Sequence, residues 1–204
     1  MGIVSGGVRI RRFQVLGEPP EDFQGPFEEG IERYAFRDFA EGDEQEQVLG
    51  WVGADDWFVP GLPPERWLVG RSVLLTLRVD TKRIPARFLK QECRKLEAEW
   101  KLRSGREELT RAERDEIVAI VRKRLLDRAI PSCQGHDVCW ELERGEVLLW
   151  STSAKVGETF RVLFEKTFGL KLRPLFPYAL ALRQGADPEV LDRAVPASFR
   201  QEVR

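Results

Sequence analysis

The stretch RFLKQECRKLEAEWKLRSG, residues 87–105, decides how the chain is divided. On a helical wheel Leu89, Cys93, Leu96 and Trp100 gather on one side, forming the buried stripe of an amphipathic helix. Arg87, Lys90, Arg94 and Lys101 fall within about 60° of one another away from that stripe, while Glu92 and Glu99 lie elsewhere. One side of this helix therefore meets a core, and another is selectively basic. A second helical pattern, TRAERDEIVAIVRKRLLDRA (110–129), follows the break at Ser104-Gly105. Thr110 with Glu113 three residues on forms a capping box that fixes its start. Its apolar set (Ile117, Val118, Ile120, Val121, Leu125, Leu126, Ala129) spans a wide arc and predicts contact on more than one side.

Outward from this hairpin the period changes to two. GVRIRRFQVL (7–16), QVLGWVG (47–53) and WLVGRSVLLTLRVD (67–80) predict strands, with DDWFVPGLPPER (55–66) as a Pro/Gly-rich loop. A helix is expected within PPEDFQGPFEEGIERYAFRDF (19–39), its start displaced by Gly25-Pro26. On the C-terminal side DVCWELERGEVLLWSTS (137–153) predicts a β-hairpin turning at Arg144-Gly145, then SAKVGETFRVLFEKTFG (153–169) a helix ending at Gly169. LKLRPLFPYALAL (170–182) gives a short strand broken by prolines. The expectation is an α+β chain of two sheet-forming halves, βαββ and ββαβ, with the helical hairpin inserted between them. Residues 1–81 and 132–180 would form the core, 82–131 the basic hairpin, and 181–204 a short C-terminal helix or tail.

A chain of 204 residues can bury a core without crosslinks. Its three cysteines, 93, 133 and 139, do not form a secreted disulfide framework, and a reducing cytoplasm is expected. MGIVSGGVRIRRF has no apolar run of signal-peptide length, and no run of about 18 apolar residues occurs to span a bilayer. The net charge of −1 conceals an asymmetry. Residues 1–60 hold 5 Lys/Arg against 13 Asp/Glu, whereas 82–128 hold 15 Lys/Arg against 9 Asp/Glu. A basic surface of this kind attracts polyanions despite a neutral total, because salt screens the acidic segment beyond about 8–10 Å.

Catalytic and metal signatures are tempting but incomplete. In CQGHDVC (133–139) an extended backbone would aim Cys133 and Cys139 to one side and His136 to the other, against a tetrahedral zinc site. The cysteines read as small buried hydrophobes and His136, the only histidine, as a loop residue. A two-metal nuclease needs clustered carboxylates; the candidates are Asp55-Asp56, Asp80 and Glu99-x-Lys101, the last on a helix where a strand would be needed. SGG (5–7) precedes a strand and lacks the Lys-Ser/Thr of a phosphate loop. The six tryptophans sit in apolar patterns and read as core. No enzymatic activity, metal or cofactor is expected.

The hairpin cations carry the functional expectation. Arg87, Lys90, Arg94, Lys95, Lys101, Arg103, Arg106, Lys123, Arg124 and Arg128 are the candidate DNA-binding residues, partly offset by Glu107, Glu108, Glu113, Asp115 and Glu116. Such side chains contact phosphates and give salt-dependent affinity without reading bases. A solvated charged face is the bland alternative.

Three segments carry a family resemblance: RIPARFLKQECRKLEAEW (83–100), ELTRAERDEIVAIVRKRLLDRAIPSC (108–133) and VCWELERGEVLLWSTSAKVGETFRVLFEKTFGLKLRPL (138–175). Together with LGWV (49–52), they resemble the recombination-associated protein RdgC family. The matching elements are Ile84-Pro85, Leu96 to Glu99, Leu125 to Ile130, Trp140 and Ala154-Lys155. The resemblance implies a nucleoid-associated cytoplasmic protein that encircles duplex DNA as a homodimer, without strong sequence preference, and restrains recombinase filaments. It also places Ile130 where the family has a phenylalanine at a dimer contact, and Asp127 where it has a proline. Family members usually run roughly 100 residues further, which puts ring closure in question. The alternatives are a module docking an acidic protein partner without DNA binding and a metal-dependent exonuclease.

Overall fold

In the computed structural model, which describes residues 3, 8–40 and 42–194, the chain is α+β. Its elements are β1 (Arg11–Leu16), α1 (Gln24–Arg33), β2 (Gln47–Val52), α2 (Pro64–Trp67), β3 (Leu68–Val69) and β4 (Ser72–Thr81). The hairpin helices α3 (Ala86–Ser104) and α4 (Arg111–Arg128) come next. Then follow β5 (Ser132–Glu141), β6 (Glu146–Leu149), α5 (Ala154–Phe168), β7 (Lys171–Leu175), α6 (Pro177–Arg183) and α7 (Pro188–Asp192).

The two halves share one antiparallel sheet of order β2-β4-β5-β6-β1-β7, with β3 on β4. They are interleaved rather than separate: β4 pairs with β5 in unbroken register from Ser72↔Glu141 to Thr81↔Ser132, and β1 of the first half lies between β6 and β7 of the second. Alternation along these strands places Val73, Leu75, Leu77, Val138, Trp140, Val147 and Leu149 in one core with Phe27 and Ile31 of α1 and Phe160, Phe164 and Phe168 of α5. Trp140 lies 5.2–5.3 Å, centroid to centroid, from Phe27, Phe164 and Phe168. Each such aromatic pair adds about 0.5–1.5 kcal/mol beyond burial alone. Of the other tryptophans, Trp51 and Trp67 are fully buried, while Trp57, Trp100 and Trp150 are half-buried.

Helix α1 lies so close to α5 that a Cβ on Gly30 would land on the Thr167 carbonyl oxygen. Thr167 is itself fixed, its hydroxyl accepting the Trp51 indole N–H at 2.8 Å and donating to the Leu163 carbonyl at 2.8 Å. Gly30→Ala is therefore expected to force the two helices apart and cost about 1–3 kcal/mol. Chemical denaturation of the variant checks this.

Several boundaries differ from the sequence reading. WLVGRSVLLTLRVD is not one strand: Trp67 closes α2, with its indole N–H donating to the Leu62 carbonyl at 3.0 Å, and Gly70 turns β3 into β4 with φ +61°. That left-handed conformation is cheap only for glycine, so the turn was set by the one residue the alternation skips. β1 begins at Arg11, and the first residue of the 7–16 reading lies outside the described residues. β5 begins at Ser132, earlier than expected, which moves His136 from a loop into a strand. Pro177 opens α6 inside a stretch read as strand, as proline favours at a first helical turn. Residues 195–204 of the expected tail lie outside the described residues.

The hairpin forms a second core. Cys93, Leu109, Ile117 and Val121 pack together, flanked by Leu89, Leu96, Trp100 and Leu125. Gly105 ends α3 in the left-handed conformation, and Thr110 and Glu113 form the expected reciprocal cap on α4. The wide apolar arc of α4 is buried on more than one side, as expected: Ile117 and Val121 sit in this core and Leu126, half a turn of the wheel from Ile117, is 1% exposed outside it, whereas Val118 and Ile120 stay exposed. Among the described residues no helix is long and apolar enough to cross a membrane.

Candidate nucleic-acid interface

Because the α3 stripe is anchored on α4, its basic face is turned outward. Arg87, Lys90 and Arg94 are exposed and Lys101 is half-buried. Arg87, Lys90, Arg94 and Lys95 line a shallow depression of about 640 Å³ along the helix. Among the described residues, Arg87, Lys90, Arg94, Lys101, Arg103 and Arg128 have no carboxylate within ion-pair distance, in contrast to the other candidates.

Lys95 meets Glu92 at 2.6 Å, and Arg124 reaches the same carboxyl at 3.4 Å. Lys95 above all holds the Glu92 carboxyl below its usual range. Arg106 pairs with Glu113, whose carboxyl is held low first by the Thr110 backbone N–H and then by Arg106. Lys123 meets Glu44 at 3.2 Å, and Arg122 pairs with Glu46. The acidic segment before β2 thus covers part of α4. A wheel drawn on α4 alone cannot show this, since its partners lie in a distant part of the chain. The ten predicted cations divide into a free set on α3 and the ends of the hairpin, and a set already neutralised within the molecule.

Beside this face Arg83, Ile84, Phe88, Leu125, Arg128 and Ala129 border a groove of about 390 Å³. Phe88 is 46% exposed and Ile130 is 92% exposed. Phe88 was missed in the sequence, although a phenylalanine off the apolar stripe of an amphipathic helix was a usable signal.

The nuclease candidates do not converge. Asp80, 1% exposed, receives Arg78 through Nε at 3.0 Å and Nη2 at 2.7 Å, and the Cys133 thiol donates to it at 3.0 Å. Asp55 is engaged by Arg66 at 2.8 Å, which holds its carboxyl low. Glu99 stays on helix α3, away from both. Among the described residues no three His, Cys, Asp or Glu side chains gather as metal ligands. On β5, Cys133 and Cys139 pair opposite Asp80 and Leu74, and His136 opposite Leu77, which puts the histidine on the other face of the sheet. Cys133 is exposed rather than buried, because the strand begins there at the open end of the sheet. Asp80 beside it pushes its thiol pKa up, against thiolate chemistry.

The family model described as "Putative exonuclease, RdgC" matches residues 23–181. No curated protein matches the chain at a significant level. The matched span takes in every element from α1 to β7 and the whole hairpin, so the chain belongs to the RdgC family of recombination-associated proteins.

Proposed function

We propose that this protein is a non-enzymatic, nucleoid-associated cytoplasmic protein that binds duplex DNA without sequence preference, as a homodimer, and restrains recombinase filaments. One observation carries the reading: on α3, Arg87, Lys90, Arg94 and Lys101 form a row of cations without carboxylate partners among the described residues, while Lys95, Arg106, Lys123 and Arg124 are paired internally. Unpaired cations along one helix suit phosphates spaced along a backbone, and they carry no base-reading geometry. The exposed Ile130 beside the Phe88 groove supports self-association near that face. An exonuclease finds less support, because Asp80 and Asp55 are held by arginines and Glu99 lies apart.

Four phosphate contacts predict a slope of log affinity against log salt of about −3.6, a loss of roughly a hundredfold between 50 and 200 mM salt. Binding to a labelled duplex across a salt series, with light scattering on the same samples, reads both the slope and a dimer. A flat salt response would remove the phosphate reading. A second reading has its own support: α4 already holds the carboxylates of Glu44 and Glu46, so the hairpin accepts acidic peptide. Retention on heparin and on a recombinase, without duplex binding, would favour that alternative.

A further inference from the structure

On the core face of the sheet, where β2, β4 and β5 run past the start of α5, a cavity of about 410 Å³ remains that the hairpin does not use. Two cations from unrelated parts of the chain converge on it: Arg83, from the segment between β4 and α3, and Lys155, in the first turn of α5. Both are exposed, and neither has a carboxylate partner among the described residues. The rest of the lining is rich in hydroxyls and amides, including Thr81, Ser132, Gln134 and Thr159. Its single carboxylate, Glu46, is already paired with Arg122. The balance of charge therefore favours an anion.

Charge narrows the kind of anion. Two unpaired cations match the nearly two negative charges that a phosphomonoester carries near pH 7, whereas an internal phosphodiester carries one. His136 lines the same cavity, but its Nε2 is buried and turned away from the open space, so the ring forms part of the wall. The first turn of α5 adds the backbone N–H groups of Ala154 and Lys155, that of Val156 being capped by the Ser153 hydroxyl.

We propose that this cavity is a phosphomonoester site, with Arg83 and Lys155 as its charged ligands. The phosphate belongs either to a free mononucleotide or to the 5′ end of a nucleic-acid strand. The site differs from the α3 face, which holds backbone phosphates, and does not depend on it.

The test uses the full chain with 5′-AMP, inorganic phosphate and adenosine at matched ionic strength, read by calorimetry and thermal shift. AMP is expected to bind saturably and adenosine at least tenfold more weakly. Lys155→Gln and Arg83→Gln, both at exposed positions, should each weaken AMP by about tenfold, with unliganded melting unchanged and Lys155→Arg retaining binding. A duplex with 5′-phosphate ends that binds tenfold tighter than its 5′-hydroxyl twin identifies strand ends as the source; equal binding of the two, with AMP binding intact, identifies the free nucleotide. Equal responses to AMP and adenosine, or equal AMP binding by wild type and both Gln variants, would overturn the site. Since the AMP arm contains no duplex, loss of the DNA reading leaves this result interpretable.

Discussion

Replacing Arg87, Lys90, Arg94 and Lys101 by glutamate is expected to abolish duplex binding at low salt, a loss of at least about a hundredfold, while circular dichroism stays unchanged. The four side chains make no ion pair among the described residues, so their reversal breaks no intramolecular pair. The fold is insulated as well, because the hairpin core rests on Leu89, Cys93, Leu96 and Trp100 on another side of α3. Removing four phosphate contacts forfeits the counterion release that drives binding, and four new carboxylates repel the same phosphates. The informative control reverses the same number of charges at Lys95, Arg106, Lys123 and Arg124, each to glutamate. These cations already face Glu92, Glu113 and Glu44, so duplex affinity should fall by much less than in the α3 variant. Equal losses in the two variants would mean that net charge alone, rather than the unpaired row, governs affinity. Unchanged binding in the α3 variant would reject the surface.

What could be seen in the sequence followed the reach of each interaction. The hairpin helices, the Thr110–Glu113 cap and the glycine stops at 105 and 169 are local and were readable, because they depend on residues within one or two turns. The alternation of β4 and of the β5–β6 hairpin was equally plain. Sheet order was not, since placing β1 between β6 and β7 depends on pairings across most of the chain. The same limit applied to the site. The basic face of α3 was visible on its wheel, but its distinction from α4 was not, because Glu44 and Glu46 arrive from before β2. The pocket at Arg83 and Lys155 likewise draws on β4, β5 and α5 together, and no single stretch announces it.

The second large effect is on stability: Asp80→Ala should destabilise the fold by about 3–5 kcal/mol, measured by urea unfolding. Arg78 is 7% exposed and Asp80 1%, and they meet in a two-point contact at 3.0 and 2.7 Å. The guanidinium also lies 4.0 Å from the Phe36 ring centroid and 5.4 Å from that of Phe58, so it cannot leave for solvent without unpacking the loops over this face of the sheet. Removing the carboxylate strands a buried cation. Its remaining carboxylate, Asp38 at 3.7 Å, is 86% exposed and too well screened to compensate. Asp80→Asn keeps the shape but not the charge and should also destabilise, by less. The pair itself need not be strongly stabilising, since its desolvation offsets much of its attraction. Hence the double variant Arg78→Met, Asp80→Leu should recover most of what Asp80→Ala loses, and that recovery separates a structural ion pair from a catalytic carboxylate. If Asp80 instead served a nuclease, Asp80→Asn would leave the unfolding midpoint near wild type and remove a magnesium-dependent degradation of DNA. The bidentate arginine argues for the first outcome, because a carboxylate with both oxygens committed to a buried guanidinium has little left to offer a metal.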